Sequence, residues 1–531
     1  MTPAFPLGVG ASWLRLVAVF VTGVGCVFTG AGVGGRAGWW SGIGVAGLIA
    51  VAALVRWRGA GLLDLGWAAL GWPHHGLDEQ GGELGDYSRT FGPAQGVGIR
   101  GVGADAVAVV AVDGPPHSPS VLDYGRVESL VKLPLAALAK GLQQCDVRLD
   151  GVDILSSGSR RAPQSHHPYS PVYSSEVGDH PAVGQRRTYL VVRFNAVRGA
   201  AAVLWRESVA ATVSAAAEWL AAELTNMRLP ARVLTAEQIR DADAVLLAGI
   251  EASSVRPGWG RLRHSGGYVH TYWVSPGDIC TATLDRLWAP DTDATVVSVQ
   301  LRRTDNGETT VGVMVRYHTG APLAAPPLTG LNPLSGRHDV GLLAGLARPG
   351  PAPKVPCRVL GAEETITMPV AATGIIIGST TTGHPLLVDL ADPTAGSLVT
   401  VCGEFALTVQ VALRAAATGY QVLVCSGQPQ RWREATAAGL QVVGPGGLGV
   451  SLPPSRLAWL VVYDGVDAPT PAAAAVTVRR VGPGAGSTAD VHIEQDSPAT
   501  AVIRTWAFQY RLRIDLSYER RLIGTKSRHA A

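Results

Sequence analysis

Two charge-free apolar runs open the chain, Leu16 to Gly35 and Ala37 to Val55, with Arg36 alone between them. At about 1.5 Å per residue each run is long enough to cross a hydrocarbon core of about 30 Å as a helix. Lipid offers no partner to an unpaired backbone group, so such runs read as helices. The glycines before Arg36 suit a tight reversal. The pattern predicts a two-helix transmembrane hairpin over residues 1–58. Arg15 precedes the first run and Arg56 and Arg58 follow the second. Positive charge at both outer ends predicts that both ends stay in the cytoplasm. Trp13, Trp39, Trp40 and Trp57 fall near the ends of the runs, where interfacial aromatics belong. A competing reading makes the first run a signal peptide, which leaves the second as an anchor and the body outside.

Residues 59–95 read as a juxtamembrane segment and linker. Gly61 to Trp72 is apolar but interrupted by Asp64 and too short to span, and 73–95 is polar and glycine-rich. Beyond them strand-like and helix-like periods alternate. Val97 to Val112 reads as a strand pair or one long strand, Leu133 to Gln144 as a helix and Val147 to Leu155 as a strand. A long loop spans Ser157 to Gln185. Arg187 to Asn195 reads as a strand, and Ala202 to Leu224 as an amphipathic helix with Val209, Val213, Ala216, Leu220 and Leu224 on one face. Thr235 with Gln238 has the spacing of a capping box. Asp305-Asn306-Gly307 marks a hairpin between Val296–Arg303 and Thr309–His318. Residues 96–318 are thus expected to form a cytosolic α/β domain.

Residues 319–355 (GAPLAAPPLTG, ARPGPAPKVP) read as a Pro/Gly-rich linker. Residues 356–531 start again as a second α/β domain with a basic tail. Its strands are expected at Gly374–Ile377, Leu386–Leu390, Leu398–Cys402, Gln421–Cys425 and Leu457–Tyr463, with a helix over Phe405–Thr418. Strand–helix–strand units of this length imply parallel pairing.

Composition changes little in this picture. Mean hydropathy is +0.20 and net charge +3, too small a surplus to point to nucleic acid. Only four of the 44 basic residues are lysine, and with the abundant Ala, Gly and Val this suggests a high-GC genome. The six cysteines form no C-x-x-C pair, which argues against a zinc motif or a disulfide framework.

Candidate chemistry is sparse. Gly96-x-Gly98-x-x-Gly101 matches a dinucleotide fingerprint as text but runs into a Val-rich strand rather than a helix. SLVTVCGEFALTVQVALRAAATGYQVLVC (397–425), with Asp464 closing the run after Leu457, has the rhythm of a degenerate P-loop unit. Gly403 is followed by Glu404, with no Lys or second Gly to hold phosphate. Nucleotide binding without hydrolysis stays open beside an ordinary α/β turn. His166, His167 and His180, near Tyr169, Tyr173 and Asp179, allow a metal site, although a solvated Ser/Pro loop explains them as well. From Arg504 onward seven basic residues face Asp515 and Glu519, and Leu512, Ile514, Leu516 and Tyr518 alternate as in a half-buried strand. The basic surplus suits an acidic partner or anionic headgroups, or simply solvent. No catalytic, cofactor-binding or metal residue is assigned.

Several stretches resemble the EccE component of the mycobacterial type VII (ESX) secretion system: GVGIRGVGADAVAVVAVDGPPHSPSVL, LPLAALAKGLQQCDVRLDGVDILSSG, RTYLVVRFNA and LPARVLTAEQI. The similarity is read over roughly residues 1–320, with 356–531 an extension. The resemblance implies a structural, non-enzymatic subunit of a bacterial inner-membrane complex, packed with EccB-, EccC- and EccD-type subunits in a hexameric assembly, with EccC supplying the ATPase. It implies no catalytic residues, cofactor or nucleic acid. The alternative is a membrane-tethered, transferase-like enzyme with its site in the cytosolic body.

Overall fold

A computed structural model describes residues 7–9, 13–57, 60–61, 81–88, 96–129, 132–162, 169–304, 306–350, 355–361, 363–437, 440–445, 458–467, 475–482 and 488–524. A long apolar helical segment, Trp13–Leu54, precedes a sheet-rich α/β body. The segment is helical except at Gly35, whose φ of 56° and ψ of −134° break the ladder, a conformation open to glycine.

The body is built on two large sheets. The first runs Arg256–Pro257, Leu262–His264, Gly267–Val274, Thr309–Thr319, Ala294–Arg303, Gly151–Ser159, Gln185–Asn195, Asp105–Val112, Val97–Val102 and Glu83–Tyr87, and all its neighbours are antiparallel. Both faces are covered. Along Asp105–Val112, Ala106, Ala108, Val110 and Val112 enter one core with the helix Val209–Asn226, while Val107, Val109 and Ala111 enter another with the helix Ala236–Leu247. A strand buried on both sides needs apolar residues at every position, which is why the DAVAVVAV run lacks alternation.

The second sheet is mixed. Gln441–Val443, Gln421–Ser426, Trp459–Asp464, Ala475–Val481, Ser397–Cys402 and Val491–Ser497 are parallel to their neighbours, as the strand–helix–strand spacing predicts. Thr500–Thr505, Gln509–Arg513, Ile375–Ser379, Pro385–Val388, Pro119–Asp123 and Arg126–Ser129 continue it antiparallel. Its last two strands come from the first half of the chain. So does the helix Ser170–Val177, which lies in the stretch expected to be loop; Tyr169, Tyr173 and Val177 pack in the second core.

Several expected elements are cut shorter by local chemistry. Pro134 lacks the N–H a helix interior needs, so the helix expected from Leu133 starts at Leu135, and it ends at Lys140 before Gly141. The helix expected over Ala202–Leu224 is two, Ala200–Leu204 and Val209–Asn226. Ser208 restarts it by accepting a hydrogen bond from the Ala211 amide at 3.1 Å. The capping box at Thr235 and Gln238 is present as expected. The Pro/Gly-rich stretch 319–355 contains the strand Leu331–Pro333 and the helix His338–Ala344, and it buries Leu342, Leu346 and Ala347. At the C-terminus the strand ends at Arg513 and a helix, Ser517–Gly524, follows. The Ser517 amide donates to the Asp515 carboxylate at 2.9 Å, a turn chemistry that the alternation of apolar residues conceals.

Candidate functional site

The apolar N-terminal segment is where the sequence concentrates its functional signal. The chain on either side of Gly35 comes together. A Cβ on Gly38 would collide with the Gly30 carbonyl, and one on Gly42 would lie 2.7 Å from the Cys26 carbonyl oxygen. Small residues are what permit two helical backbones to approach this closely. Leu7–Val9 pairs antiparallel with Val55–Trp57, so the chain entering the segment lies beside the chain leaving it. Trp13 and Arg15 lie in the first turn of the segment, and Arg56 and Trp57 in the strand that closes it; Arg58 is outside the described residues. Arg36 directly follows the break and is exposed. Trp39 and Trp40 follow it, 45% and 71% exposed, as are Phe20, Phe28 and Leu48 at 71%. Exposed Phe and Leu along a long apolar helix suit a nonaqueous surrounding.

In the body, the text motifs resolve into structure. Gly98 lies in the strand Val97–Val102, and a Cβ there would lie 2.6 Å from the backbone of Thr235 and Ala236. The glycine admits the start of a neighbouring helix, and the strand turns into a hairpin, so no phosphate cradle forms. His166 and His167 lie outside the described residues. His180 Nδ1 is 2.8 Å from the Val177 carbonyl, the Tyr173 hydroxyl accepts from the Ile376 amide at 3.3 Å, and Tyr169 donates to Glu519 at 2.8 Å. Among the described residues no group of three His, Cys, Asp or Glu could hold a metal ion.

At the start of the helix Phe405–Ala417, where a P-loop would seat phosphate, Glu404 stands instead. It accepts from Gln495 Nε2 at 2.8 Å and from Arg520 Nε at 3.1 Å, and its own amide donates to Gln495 Oε1 at 2.9 Å. The Arg520 hydrogen bond holds the Glu404 carboxyl below the ordinary range, so it stays anionic. Asp464 is buried and accepts from Trp432 Nε1 at 2.9 Å, Ser426 Oγ at 3.2 Å and an Arg480 guanidinium nitrogen at 3.3 Å. Its oxygens are occupied by the protein.

Two buried polar groupings in the first sheet leave no trace in the sequence pattern. Asp153 lies fully buried between Arg193 and Arg302, each at 2.5 Å. Among the described residues Arg316 has no acid beside it. It donates to the Leu246 and Leu342 carbonyls, in the last turns of two helices, and to His318 Nε2 at 3.0 Å. Helix C-termini carry partial negative charge and serve as its counter-ion. Histidines around it act as acceptors: His338 Nδ1 takes the Thr271 amide at 3.1 Å and His270 Nε2 takes the Leu323 amide at 3.2 Å. Burial pushes both rings down to about 4, which keeps them neutral for that task. Single His and Arg residues on apolar strands carry no spacing signal, so only the fold reveals these contacts.

A family model described as a putative type VII ESX secretion system translocon, EccE, matches residues 182–274. The ESX-5 secretion system protein EccE5 of Mycobacterium marinum is 33% identical over 399 residues, covering 71% of this chain and 98% of that protein. EccE5 of Mycobacterium tuberculosis is 34% identical over 390 residues, 68% of this chain and 95% of its own length. The chain belongs to the EccE family. More distantly, the ESX-2 protein EccE2 of Mycobacterium tuberculosis is 26% identical over 344 residues, 64% of this chain. The EccE likeness therefore extends over a larger share of the chain than residues 1–320 alone would make. The part matched by the EccE model, 182–274, holds the central strand Gln185–Asn195 and the helices on both faces of the first sheet.

Proposed function

We propose that this chain is a structural subunit of the membrane complex of a type VII (ESX) secretion system, supporting protein export without catalysis of its own. The observation that carries the reading is the 33% identity over 98% of an ESX-5 EccE protein. The apolar segment forms a transmembrane hairpin in the plasma membrane that turns at Gly35. Both ends and the α/β body lie in the cytoplasm, and Trp13, Arg15, Arg36, Trp39, Trp40, Arg56, Trp57 and Arg58 mark the two interfaces. The non-helical Gly35, the close backbone approach at Gly30, Gly38 and Gly42, and the pairing of Leu7–Val9 with Val55–Trp57 support this topology. The chain divides into residues 1–58, 59–95, 96–318, 319–355 and 356–531, and strands from 119–129 and the helix Ser170–Val177 reach across to complete the second sheet and its core. Its partners are EccB-, EccC- and EccD-type subunits in a hexameric hetero-oligomer. The last unit keeps the strand–turn–helix order of a P-loop unit with its phosphate position filled by Glu404.

Mild-detergent purification of tagged protein from native membranes, with mass spectrometry and native sizing, tests the assembly. Co-purification with the other ESX subunits in a megadalton particle is expected; a solitary chain would overturn the reading. Topology is tested with the exposed Cys145, Cys280 and Cys357. A membrane-impermeant maleimide should leave them unlabelled in intact cells and label them after permeabilisation. Labelling in intact cells would place the body outside.

A further inference from the structure

A hairpin at one edge of the first sheet gathers positive charge on one face. Its strands, Arg256–Pro257 and Leu262–His264, set Arg256 directly opposite Arg263, and Arg263 opposite Tyr268 on the next strand. Residues directly opposite in an antiparallel pair share a face, with Cβ atoms about 5 Å apart. Leu262 points the other way, into a small core with Ile250, Val269 and Leu342, which fixes the guanidinium face outward. Arg261 adds a third cation, its guanidinium 5.2 Å from the centre of the Tyr268 ring. The tip is held in place. The Gly258 amide donates to the Arg261 carbonyl at 3.0 Å and the Gly336 amide to the Trp259 carbonyl at 2.7 Å, while the Trp259 side chain stays 48% exposed.

Like charges directly opposite each other on paired strands destabilise the pair. Arg193 and Arg302 of the same sheet share Asp153, and Arg100 has Asp243. Arg256, Arg261 and Arg263 are exposed and have no ion pair among the described residues. Arg256 donates to the Ser253 and Val255 carbonyls at 3.2 Å, contacts that leave its charge unbalanced.

We propose that this face docks a carboxylate-rich segment of another protein. Each guanidinium offers a planar fork of donors that a carboxylate matches with both oxygens. Arg, Trp and Tyr are also the side chains that carry most of the binding energy at protein interfaces. Pro257 removes an amide from the short outer strand, so the segment is read through side chains and not added as a strand. Position favours protein over lipid, a choice that rests on the apolar segment being a membrane anchor. The chain arrives from that segment at Glu83–Tyr87, on the opposite edge of the same sheet, eight strand spacings of about 4.8 Å from Leu262–His264. Glu83 enters beside Gly101, a level that the register carries across the sheet to Thr310. Tyr268 pairs with Thr319, nine residues further along that strand. The arginine face thus sits at the corner of the sheet diagonal to the tether.

The test measures binding of a fluorescent oligoglutamate peptide to the detergent-solubilised full chain, beside its oligoglutamine counterpart and vesicles containing phosphatidylglycerol. Oligoglutamate should bind, more weakly as salt rises, and oligoglutamine should not. Arg263→Glu should lower the affinity at least tenfold. The same change sets a carboxylate opposite Arg256, so the unfolding midpoint should be no lower than that of wild type, which separates lost docking from lost folding. Arg433→Glu, the same charge change on an exposed helix beside the second sheet, should leave the affinity unchanged. In native membranes a photo-crosslinking phenylalanine analogue at position 259 should give an adduct with a protein segment rich in Asp or Glu, lost in Arg263→Glu. An oligoglutamate affinity indifferent to Arg263→Glu would overturn the proposal, as would vesicle binding that Arg263→Glu abolishes or adducts confined to lipid. Maleimide labelling reports the anchor and its orientation separately, so failure of that reading is told apart from failure of the docking face.

Discussion

The two sheets of the body close their cores with different sets of buried polar groups. In the first, guanidinium groups reach from strands to the backbone of the covering layer. Arg316 meets two helix C-termini, Arg193 donates to the Arg348 carbonyl at 2.7 Å, and Arg100 donates to the Ala347 carbonyl at 2.6 Å and to Asp243 at 2.7 Å. In the second, carboxyl groups gather donors beside one buried guanidinium, Arg414, which donates to the Ile376 carbonyl at 2.8 Å. Asp464 takes Trp432 and Ser426, and Glu519 takes Tyr169 at 2.8 Å and Gln410 at 3.3 Å. Even Arg316, pushed down to about 9 by burial, keeps its proton at neutral pH. A closure made of arginines is therefore indifferent to pH across the physiological range, whereas one made of carboxyls responds to it.

The strongest way to break the first closure is at Asp153. Burial alone would raise its carboxyl, but Arg193 and Arg302 outweigh that and hold it below the ordinary range. Asp153→Asn leaves the buried Arg193 and the half-buried Arg302 without their counter-charge, and loss of one member of a buried charge set costs about 3–5 kcal/mol. Urea unfolding of the full-length protein, followed by tryptophan fluorescence, should show a correspondingly earlier midpoint. Because the folded carboxyl is depressed, its contribution is complete above the unfolded value and fades as pH falls; the difference between wild type and variant should shrink below about pH 4.

In the second sheet the counterpart is Trp432→Phe. Trp432 is fully buried, and its ring packs edge-on against Phe405 with centroids 5.0 Å apart. Phenylalanine removes the indole donor that Asp464 relies on and leaves a buried carboxylate one hydrogen bond short, a loss of about 1–3 kcal/mol. The same unfolding experiment reads it, and a loss well below 1 kcal/mol would mean that Ser426 and Arg480 satisfy Asp464 alone.

The sequence made the first of these regions legible in outline and the second in more detail. Apolar runs gave the membrane segment, the strand Gln185–Asn195 and the hairpin Ala294–Arg303 with Thr309–Thr319, because length and turn chemistry are local. The parallel order of the second sheet followed from strand–helix–strand spacing. What stayed hidden was long-range: Pro119–Ser129 pairing with strands some 260 residues away, and Tyr169 entering the second core from a stretch rich in Ser and Pro. Neither has a local signature. The Arg–carbonyl and His–amide contacts were equally invisible, since their partners are main-chain atoms that any residue provides.

Glu519 sharpens the pH contrast. Burial pushes its carboxyl above the ordinary value of 4.5, against the pull of its hydrogen bonds and of Arg414. The folded protein thus holds this proton more tightly than the unfolded chain, and stability falls as pH rises from about 4.5 through the folded value. Glu519→Gln removes that decline. Its amide oxygen still accepts from Tyr169, so the variant should match wild type within about 1 kcal/mol near pH 4.5 and gain on it toward neutral pH. Asp153→Asn should show the opposite trend with pH, and parallel slopes for the two would break the comparison.

The smallest effect belongs to the Glu404–Arg520 pair, which lies at the start of the helix Phe405–Ala417 and toward solvent, with side chains 36% and 42% exposed. Exposed pairs of this kind contribute little, and the helix N-terminus continues to favour the Glu404 carboxylate when the arginine is gone. Arg520→Ala should therefore leave the unfolding midpoint almost unchanged. Glu404→Ala probes that position itself. Were the carboxylate only a plug over a competent phosphate site, removing it would let magnesium ATP bind, readable as heat in calorimetry at millimolar nucleotide. No heat is expected from either wild type or variant, because the turn offers no lysine to reach the phosphates and Gln495 fills the space beside Gly403.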